Sequence, residues 1–489
     1  MTTTAATLDG ISDIRRFFYR NDVPIYFISA TNFNLLGADE WVKSFKFISY
    51  IDCFDGQHPN VFVPSEMPHD VFESIEDINN YLLEHKEVAD YLERRAPEPG
   101  RAGKALFLMF DETTEALAQA QGLEVCFPPA SLRNYLDNKV VTTRVADRAG
   151  VASVPNALAR VESYQDLLNC AAQAGLGTDL VVQSAYGDSG HTTFFIANED
   201  DWRKVADEIV HESEVKVMKR INCRGAAMEA CVTRHGTIVA PLMTELVGFP
   251  ELTPYKGGWC GNEIFAEVFT PEIRERARKA TFAMGEELKK EGYRGYFELD
   301  FLIDQDSQEI YLGEMNPRVT GASSITNHAV FALADVPLFV FHLLEWADAD
   351  YQLDVEAINA RWARSDNIDD WSQLVIKHGE DKLELLHEAP PTGIWTMDAE
   401  GKVSFSRYDT HRRAVETENE AFFLRITGVG DYVYEGADLG ILVTRGRLMT
   451  EDFTLSERAK RWIEGIKAYF KSHEPQETPE AVVSNFKML

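Results

Sequence analysis

Asp300, Glu314, Asn316 and Arg318 fall within one stretch, YRGYFELDFLIDQDSQEIYLGEMNPRVTGASS, residues 293–324. Two carboxylates and an amide oxygen suit a hard, oxygen-loving cation such as Mg²⁺, shared with phosphate groups. The guanidinium that follows suits a carboxylate or a phosphoryl group in transfer. For that chemistry the residues must converge, and the local pattern says how. Phe297, Leu299, Phe301 and Ile303 alternate with Glu298, Asp300 and Leu302, which predicts a strand. Glu309 to Met315 predicts a second strand, with QDSQ as the turn between them. Such a hairpin lays Asp300 beside Glu314 and puts Asn316 on the same face. An acidic hairpin face is also what solvent alone selects. The run GEMNPR weighs toward a ligand, because Ile310, Leu312 and Met315 flank polar groups that are costly to bury without partners.

The chain has 489 residues, enough for several modules with cores of their own. With 45% hydrophobic and 26% charged residues it has the composition of an ordinary globular enzyme. A net charge of −31 speaks against nucleic acid and against an anionic membrane surface, both of which demand basic patches. It leaves room for a local cationic pocket. Six scattered cysteines without a CxxC pair fit a reducing cytosol, and the N-terminus has no basic-then-apolar signal pattern, so a cytoplasmic location is expected. The apolar run from His328 to Trp346 is broken by Asp335 and Pro337 and predicts a core helix rather than a membrane span.

The flanking segments supply the frame. PIYFISA (24–30), a strand near Lys46 to Ile51, helical periodicity from Pro68 to Arg95, ALFLMF (105–110), a helix near Glu112 to Gly122 and LEVCFPP (123–129) alternate as an open α/β layer. Gly103-Lys104 is not a phosphate loop, since no Ser or Thr follows the lysine. The segment from Ser131 to Pro155 reads as a helix with a lysine near its start and a glycine stop. LVVQSAYGDSGHTTFFI (180–196) reads as strand, loop, strand. Gly187 and Gly190 let the loop's N–H groups close over phosphates, and a loop with two glycines is equally a plain turn. PEIRERARKATFAMGEELKKEG (271–292) predicts an amphipathic packing helix. Residues 350–385 read as an acidic connector with helical pieces. Short strands follow from Pro390, then a helix from Leu455 to Phe470.

The run DFLID…YLGEMNPRVTG resembles the metal-binding end of the ATP-grasp superfamily, which includes biotin carboxylase, D-alanine–D-alanine ligase and many carboxylate–amine ligases. The resemblance implies an α/β (α+β) ATP-grasp fold in three parts. These are an N-terminal open α/β pre-ATP-grasp domain (1–130), an ATP-grasp domain (131–349, lid about 150–217), and a connector plus small β-rich module like that of biotin carboxylase (350–489). Asp300, Glu314 and Asn316 then hold Mg²⁺, or Mn²⁺, on ATP, and Arg318 faces an acyl phosphate. Lys139 matches a lysine that reaches the phosphates, and the loop with Gly187, Ser189 and Gly190 covers them. Gln183 stands where the family usually has a lysine. Met218, Lys219 and Ile221 occupy the hinge that meets adenine, with Met218 in place of the usual Glu. Glu229 points toward the ribose or phosphates, or is an exposed strand residue. Lys256, in the glycine-rich TPYKGGWCGNE, closes over the γ-phosphate, or sits in a plain connector. After Arg318, VTGASS replaces the Gln-Val-Glu-His run of biotin carboxylase, so Gly321, Ser323 and Ser324 make room for an organic carboxylate.

The expected activity is ligation of a small carboxylic acid to an amine through an acyl phosphate, with ATP giving ADP and phosphate. The alternatives are a carboxyphosphate-forming carboxylase and a non-catalytic nucleotide-binding module. Neither nucleic acid nor membrane is an expected partner, and a homodimer is compatible with the resemblance.

Overall fold

The computed structural model describes residues 7–66, 72–187, 192–327, 329–368 and 370–475. Its first layer grows from apolar runs. Ile25–Ser29 is buried along its whole length, as a central strand covered on both faces must be. It pairs in parallel with Phe45–Ser49 on one side and Gly103–Phe107 on the other. Val61–Phe62 and Leu123–Val125 complete a five-stranded sheet. Lys104 lies within this sheet, paired with Glu124, so Gly103-Lys104 indeed forms no phosphate loop. The chain leaves the central strand to one side and returns on the other, which opens a crevice at the strands' C-terminal ends. From there Asn34 reaches out, its Nδ2 donating to the Thr320 carbonyl at 2.9 Å.

The second layer is a four-stranded antiparallel sheet in the order Asn156–Ala159, Val215–Lys219, Leu180–Gln183, Thr193–Ile196. Leu180, Val182, Val215 and Val217 pack with Leu167, Trp202 and Ile209 of the helices Tyr164–Ala174 and Glu199–Val210. Strand alternation therefore turns Val181, Gln183, Lys216 and Met218 to the opposite face. We call this layer the lid.

The third layer is an eleven-stranded sheet with the expected hairpin, Gly295–Asp304 and Ile310–Asn316, at one edge. Inward from it follow Cys223–Thr233, Met243–Val247 and Trp259–Ile264, then Trp371–Lys377, Asp438–Arg445 and the remaining C-terminal strands. The reading of 350–385 as a connector with helical pieces matches the helix Val355–Trp362 but misses the strand Trp371–Lys377. WSQLVIK is buried throughout and pairs with Trp259–Ile264 and Asp438–Arg445, welding the C-terminal strands onto the rest. Acidic residues before and after it mask its apolar run in sequence.

Two helical segments are also more broken than their periodicity suggests. Residues 131–149 split at Asn138, whose side chain accepts from the Val140 and Val141 N–H groups and caps the helix Lys139–Ala149. Lys139 is thereby the first residue of a helix. The apolar run before Trp346 divides into Val330–Ala334 and Leu338–Leu344, with Pro337 just before the second. Asp335, between them, is buried against Arg361 at 2.8 Å and Trp362 Nε1 at 2.8 Å. No helix among the described residues is long and apolar enough to cross a membrane.

Candidate functional site

Register decides what the hairpin presents. Asp300 sits opposite Glu314, Glu298 opposite Asn316, and Leu302 opposite Tyr311. A bulge at Gly313 keeps Tyr311 and Glu314 on one face, where unbroken alternation would separate them. The neighbouring strand sets Gly225, Ala227 and Glu229 on that same face, opposite Leu302, Asp300 and Glu298. Gly225 leaves space for Glu245, whose Oε2 would lie 3.0 Å from a Cβ there.

The lid offers a matching face. Val181 is opposite Met218, and the next pair along is Gln183 opposite Lys216. Val181 and Met218 pack with Val154, Ile221, Leu302 and Tyr311 in a small apolar cluster separate from the main cores. The apolar end of the lid face thus meets the apolar end of the hairpin. Its polar end meets the acids, and Glu314 is the strongest charge acting on Lys216. Burial pushes the Lys216 ammonium down to about 8, against the pull of Glu314 and Asp147.

Cations and carboxylates interlock between the two faces. Lys139 Nζ lies 3.4 Å from Glu314 Oε1 and donates to the Gly187 carbonyl at 2.5 Å. Its backbone N–H donates to the Ala185 carbonyl at 2.8 Å, so the lid loop hangs on this residue twice. Gly187 needs to be glycine: its φ is +132°, and a Cβ would fall 2.2 Å from Thr192 Oγ1. Arg318 Nη2 donates to Asn316 Oδ1 at 2.8 Å, and Asn316 Nδ2 donates to Asp300 Oδ2 at 3.2 Å and Glu298 Oε2 at 3.4 Å. Burial, and then the Glu314 charge, push the Asp300 carboxyl up to about 7. Burial also raises Glu314 against the pull of Lys139, and raises Glu298 and Glu245 well, with Asp300 adding to both.

A divalent cation fits this donor set. Carboxylates crowded on one buried face resist ionising together unless positive charge joins them. No group of three His, Cys, Asp or Glu among the described residues closes on one point. The chain therefore offers Asp300 and Glu314, and the Asn316 oxygen once the amide turns its Oδ1 from Arg318 to the acids. Phosphate oxygens and water complete such a shell for Mg²⁺.

Several expected site residues stand elsewhere. Glu229 does share the acidic face, but its carboxylate is fully enclosed. It accepts from Tyr296 Oη at 2.5 Å, Ser323 Oγ at 2.5 Å and Thr320 Oγ1 at 3.1 Å. It braces the turn after Arg318 and faces no open space. Ser323 is spent on Glu229, and Ser324 Oγ donates to Gln373 Oε1 at 2.6 Å, so neither buried hydroxyl makes room for a carboxylate. Gly321 packs under Trp259, whose ring a Cβ would meet at 2.2 Å. Lys219 is exposed at its strand's end, toward Asp304, while Ile221 does join the apolar cluster. Lys256 is exposed in a loop pinned to the C-terminal strands, where Tyr255 Oη donates to the Glu435 carbonyl at 3.0 Å. No ion pair links Lys256 to the acids among the described residues. Ser189 and Gly190 lie outside the described residues. Conversely, Glu245, Glu298 and Lys216 lie on the two facing surfaces, and no sequence motif marks them. Strand parity marks Glu298, but only register brings Glu245 and Lys216 to it.

No protein-family profile matches the sequence, and no curated protein sequence matches it. Solved structures do. The biotin carboxylase domain dimer of Hydrogenobacter thermophilus 2-oxoglutarate carboxylase, in complex with MgADP, ADP and bicarbonate, superposes with a TM-score of 0.56 at 12% identity, covering 87% of this chain and 86% of that one. Biotin carboxylase from Campylobacter jejuni, in a β,γ-ATP complex, gives 0.56 at 14% identity over 92% of each chain. Carboxyaminoimidazole ribonucleotide synthase from Aspergillus clavatus, complexed with ATP, gives 0.52 at 13% identity over 92% and 99%. These neighbours are ATP-grasp enzymes. The chain has the ATP-grasp fold. At these identities the likeness carries the architecture, and the expected α/β arrangement with its N-terminal parallel sheet is the observed one.

Proposed function

We propose that this chain is an ATP-dependent, ADP-forming ligase that phosphorylates a carboxylic acid and couples it to an amine. The pair of opposed β faces carries the reading. Val181 and Met218 meet Leu302 and Tyr311 at one end, and Lys139 meets Glu314 beside Asp300 at the other. A purine suits the apolar surfaces that meet there, and a polyphosphate suits buried cations. Asp300, Glu314 and Asn316 would hold Mg²⁺, which when bound neutralises charge on phosphate oxygens. Lys139, held by Gly187 and Glu314, orients the phosphates, and Arg318 orients the acceptor carboxylate. An oxygen of that carboxylate bonds to the γ-phosphorus as the bond from phosphorus to the β,γ-bridging oxygen breaks, and ADP leaves. The amine nitrogen then bonds to the acyl carbon, the carbon–oxygen bond to phosphate breaks, and the nitrogen releases a proton. Closure of the lid keeps water from the acyl phosphate. The segment from Val319 to Asn327 contains no ionisable side chain. An acceptor bringing its own lone pair, as a neutral amine does, suits such a site.

The neighbours favour a second reading. Biotin carboxylases and a carboxyaminoimidazole ribonucleotide synthase share the fold, so the acid phosphorylated here could be bicarbonate rather than an organic carboxylate. With Ser323 and Ser324 committed to protein partners, they no longer argue for the organic acid. ADP release with Mg·ATP, across a panel of carboxylic acids and bicarbonate with and without amines, separates the two. Turnover that needs an organic acid and an amine, and is lost in Glu314→Gln, supports the ligase. Turnover with bicarbonate alone or with bicarbonate and an amine supports the second reading, and ATP binding without ADP release under every condition rejects both.

A further inference from the structure

Lys216 is 2% exposed and lies on the lid face that meets the hairpin, while its neighbours Val215 and Val217 are in the lid core. Its ammonium makes no hydrogen bond or ion pair among the described residues; Glu314, Asp147 and Lys139 are the charges that act on it. The residue directly across the strands, Gln183, has the reverse shortage. Its Nε2 donates to Thr193 Oγ1 at 3.2 Å, but its Oε1 is buried and accepts from nothing. A buried acceptor without a donor therefore lies directly across the strands from an ammonium that bonds to no described residue, and the two have not paired. A buried ammonium is costly unless an anion joins it.

We propose that Lys216 is a phosphate-binding residue of the nucleotide site, supplying from the neighbouring strand the cation that Gln183 lacks on its own. This rests on the nucleotide reading given above. The pair Gln183–Lys216 is one same-face step beyond the apolar pair Val181–Met218, about 7 Å along the strands. A base seated on the apolar pair thus runs its phosphates past Lys216 toward Lys139 and Glu314. Gln183 Nε2 and Lys216 Nζ then donate to neighbouring phosphate oxygens from opposite strands. The two lysines enter from different elements, a helix start and a lid strand, so they grip the chain of phosphates from two directions.

The test is calorimetric binding of ATP, ADP and adenosine to the full chain with Mg²⁺, for wild type, Lys216→Met and the exchange Gln183→Lys/Lys216→Gln. A charge-assisted hydrogen bond predicts ATP and ADP binding about 10- to 100-fold weaker in Lys216→Met. Adenosine binding stays as in wild type, and the exchange recovers most of the loss. Recovery is the decisive readout, because a lysine that only packs the lid would not be replaced from the opposite strand. Unchanged ATP affinity in Lys216→Met, or equal loss for adenosine, overturns the assignment while leaving the nucleotide reading in place. A wild-type chain that binds no adenine nucleotide overturns both together. If Lys216→Met does not fold, Lys216→Gln takes its place: ATP binding lost in Lys216→Gln and regained in the exchange supports the assignment, and ATP binding kept in Lys216→Gln overturns it.

Discussion

The Lys139 ammonium stands 3.4 Å from the Glu314 carboxylate while donating to the Gly187 carbonyl, so one side chain ties the hairpin acids to the lid loop. Asn138 makes this possible by ending one helix and capping the next with Lys139 as its first residue. Lys139→Met removes the cation nearest Glu314 and one of two tethers on the loop. ADP formation is expected to fall by about 100-fold or more, in the range for loss of one preorganised charge at a reacting centre. ATP binding, measured separately, weakens as well. A variant that binds ATP as wild type does and turns over normally would show that the ion pair is structural only.

Asp300 links the site to stability. Its carboxyl, ordinarily near 3.8, is pushed up to about 7 by burial and by Glu314. As pH rises from about 4 to 7 the unfolded chain gives up this proton and the folded chain keeps it. The folded state then binds more protons, and stability falls across that window and stays lower above it. Glu314, Glu298 and Glu245 are raised in the same direction. Asp300→Asn carries no such penalty. Metal-free Asp300→Asn is therefore expected to melt above wild type at pH 8, with the gap shrinking toward pH 4. Mg²⁺ at pH 8 should narrow the gap by stabilising wild type. Melting curves with a pH-independent gap would refute the assignment.

What could be read from residues alone follows from physical range. Asp300, Glu314 and Asn316 are legible because a hairpin is local: alternation and a short turn suffice to pair them. Even there, the bulge at Gly313 that keeps Tyr311 on the acid face leaves only a glycine as its trace. Lys216 was out of reach, because its meaning depends on lying opposite Gln183, a pairing fixed by the lid's register. Glu229 shows a further limit. Its face follows from strand parity, but the Thr320–Ser323 turn that covers it arrives from a distant segment. Trp371–Lys377 was hidden for a compositional reason, since charged neighbours on both sides dilute an apolar run that is buried on both faces.

The Glu229 hydroxyl cluster predicts a division between acid and nucleotide. Glu229→Ala leaves the Tyr296, Thr320 and Ser323 hydroxyls without their acceptor in a buried place, at a cost of about 2–5 kcal/mol in stability. Glu229→Gln, which still accepts at its oxygen, costs less. Both loosen the turn that follows Arg318, so the KM for the acid should rise more than the KM for ATP. Steady-state kinetics with each substrate varied in turn checks this. An equal or larger effect on ATP would return Glu229 to the nucleotide.

The lid face makes the adenine end testable through a contrast between neighbours. Met218 points into the cluster with Val181, Val154 and Leu302, whereas Lys219, next in sequence, is exposed at the strand's end. Truncating Met218 to Ala removes apolar contact worth about 1–2 kcal/mol if a purine covers it, or about tenfold in ATP affinity. Lys219→Ala and Lys256→Ala remove exposed charges with no partner among the acids, and each should change ATP affinity by no more than about twofold. The strand pairing forces this ranking, because alternation cannot send Met218 and Lys219 to the same face. Titration of the three variants with a fluorescent ATP analogue measures it. A large loss in Lys219→Ala with Met218→Ala unaffected would mean the base binds on the other side of the lid strand, and the opposed-face arrangement would have to be abandoned.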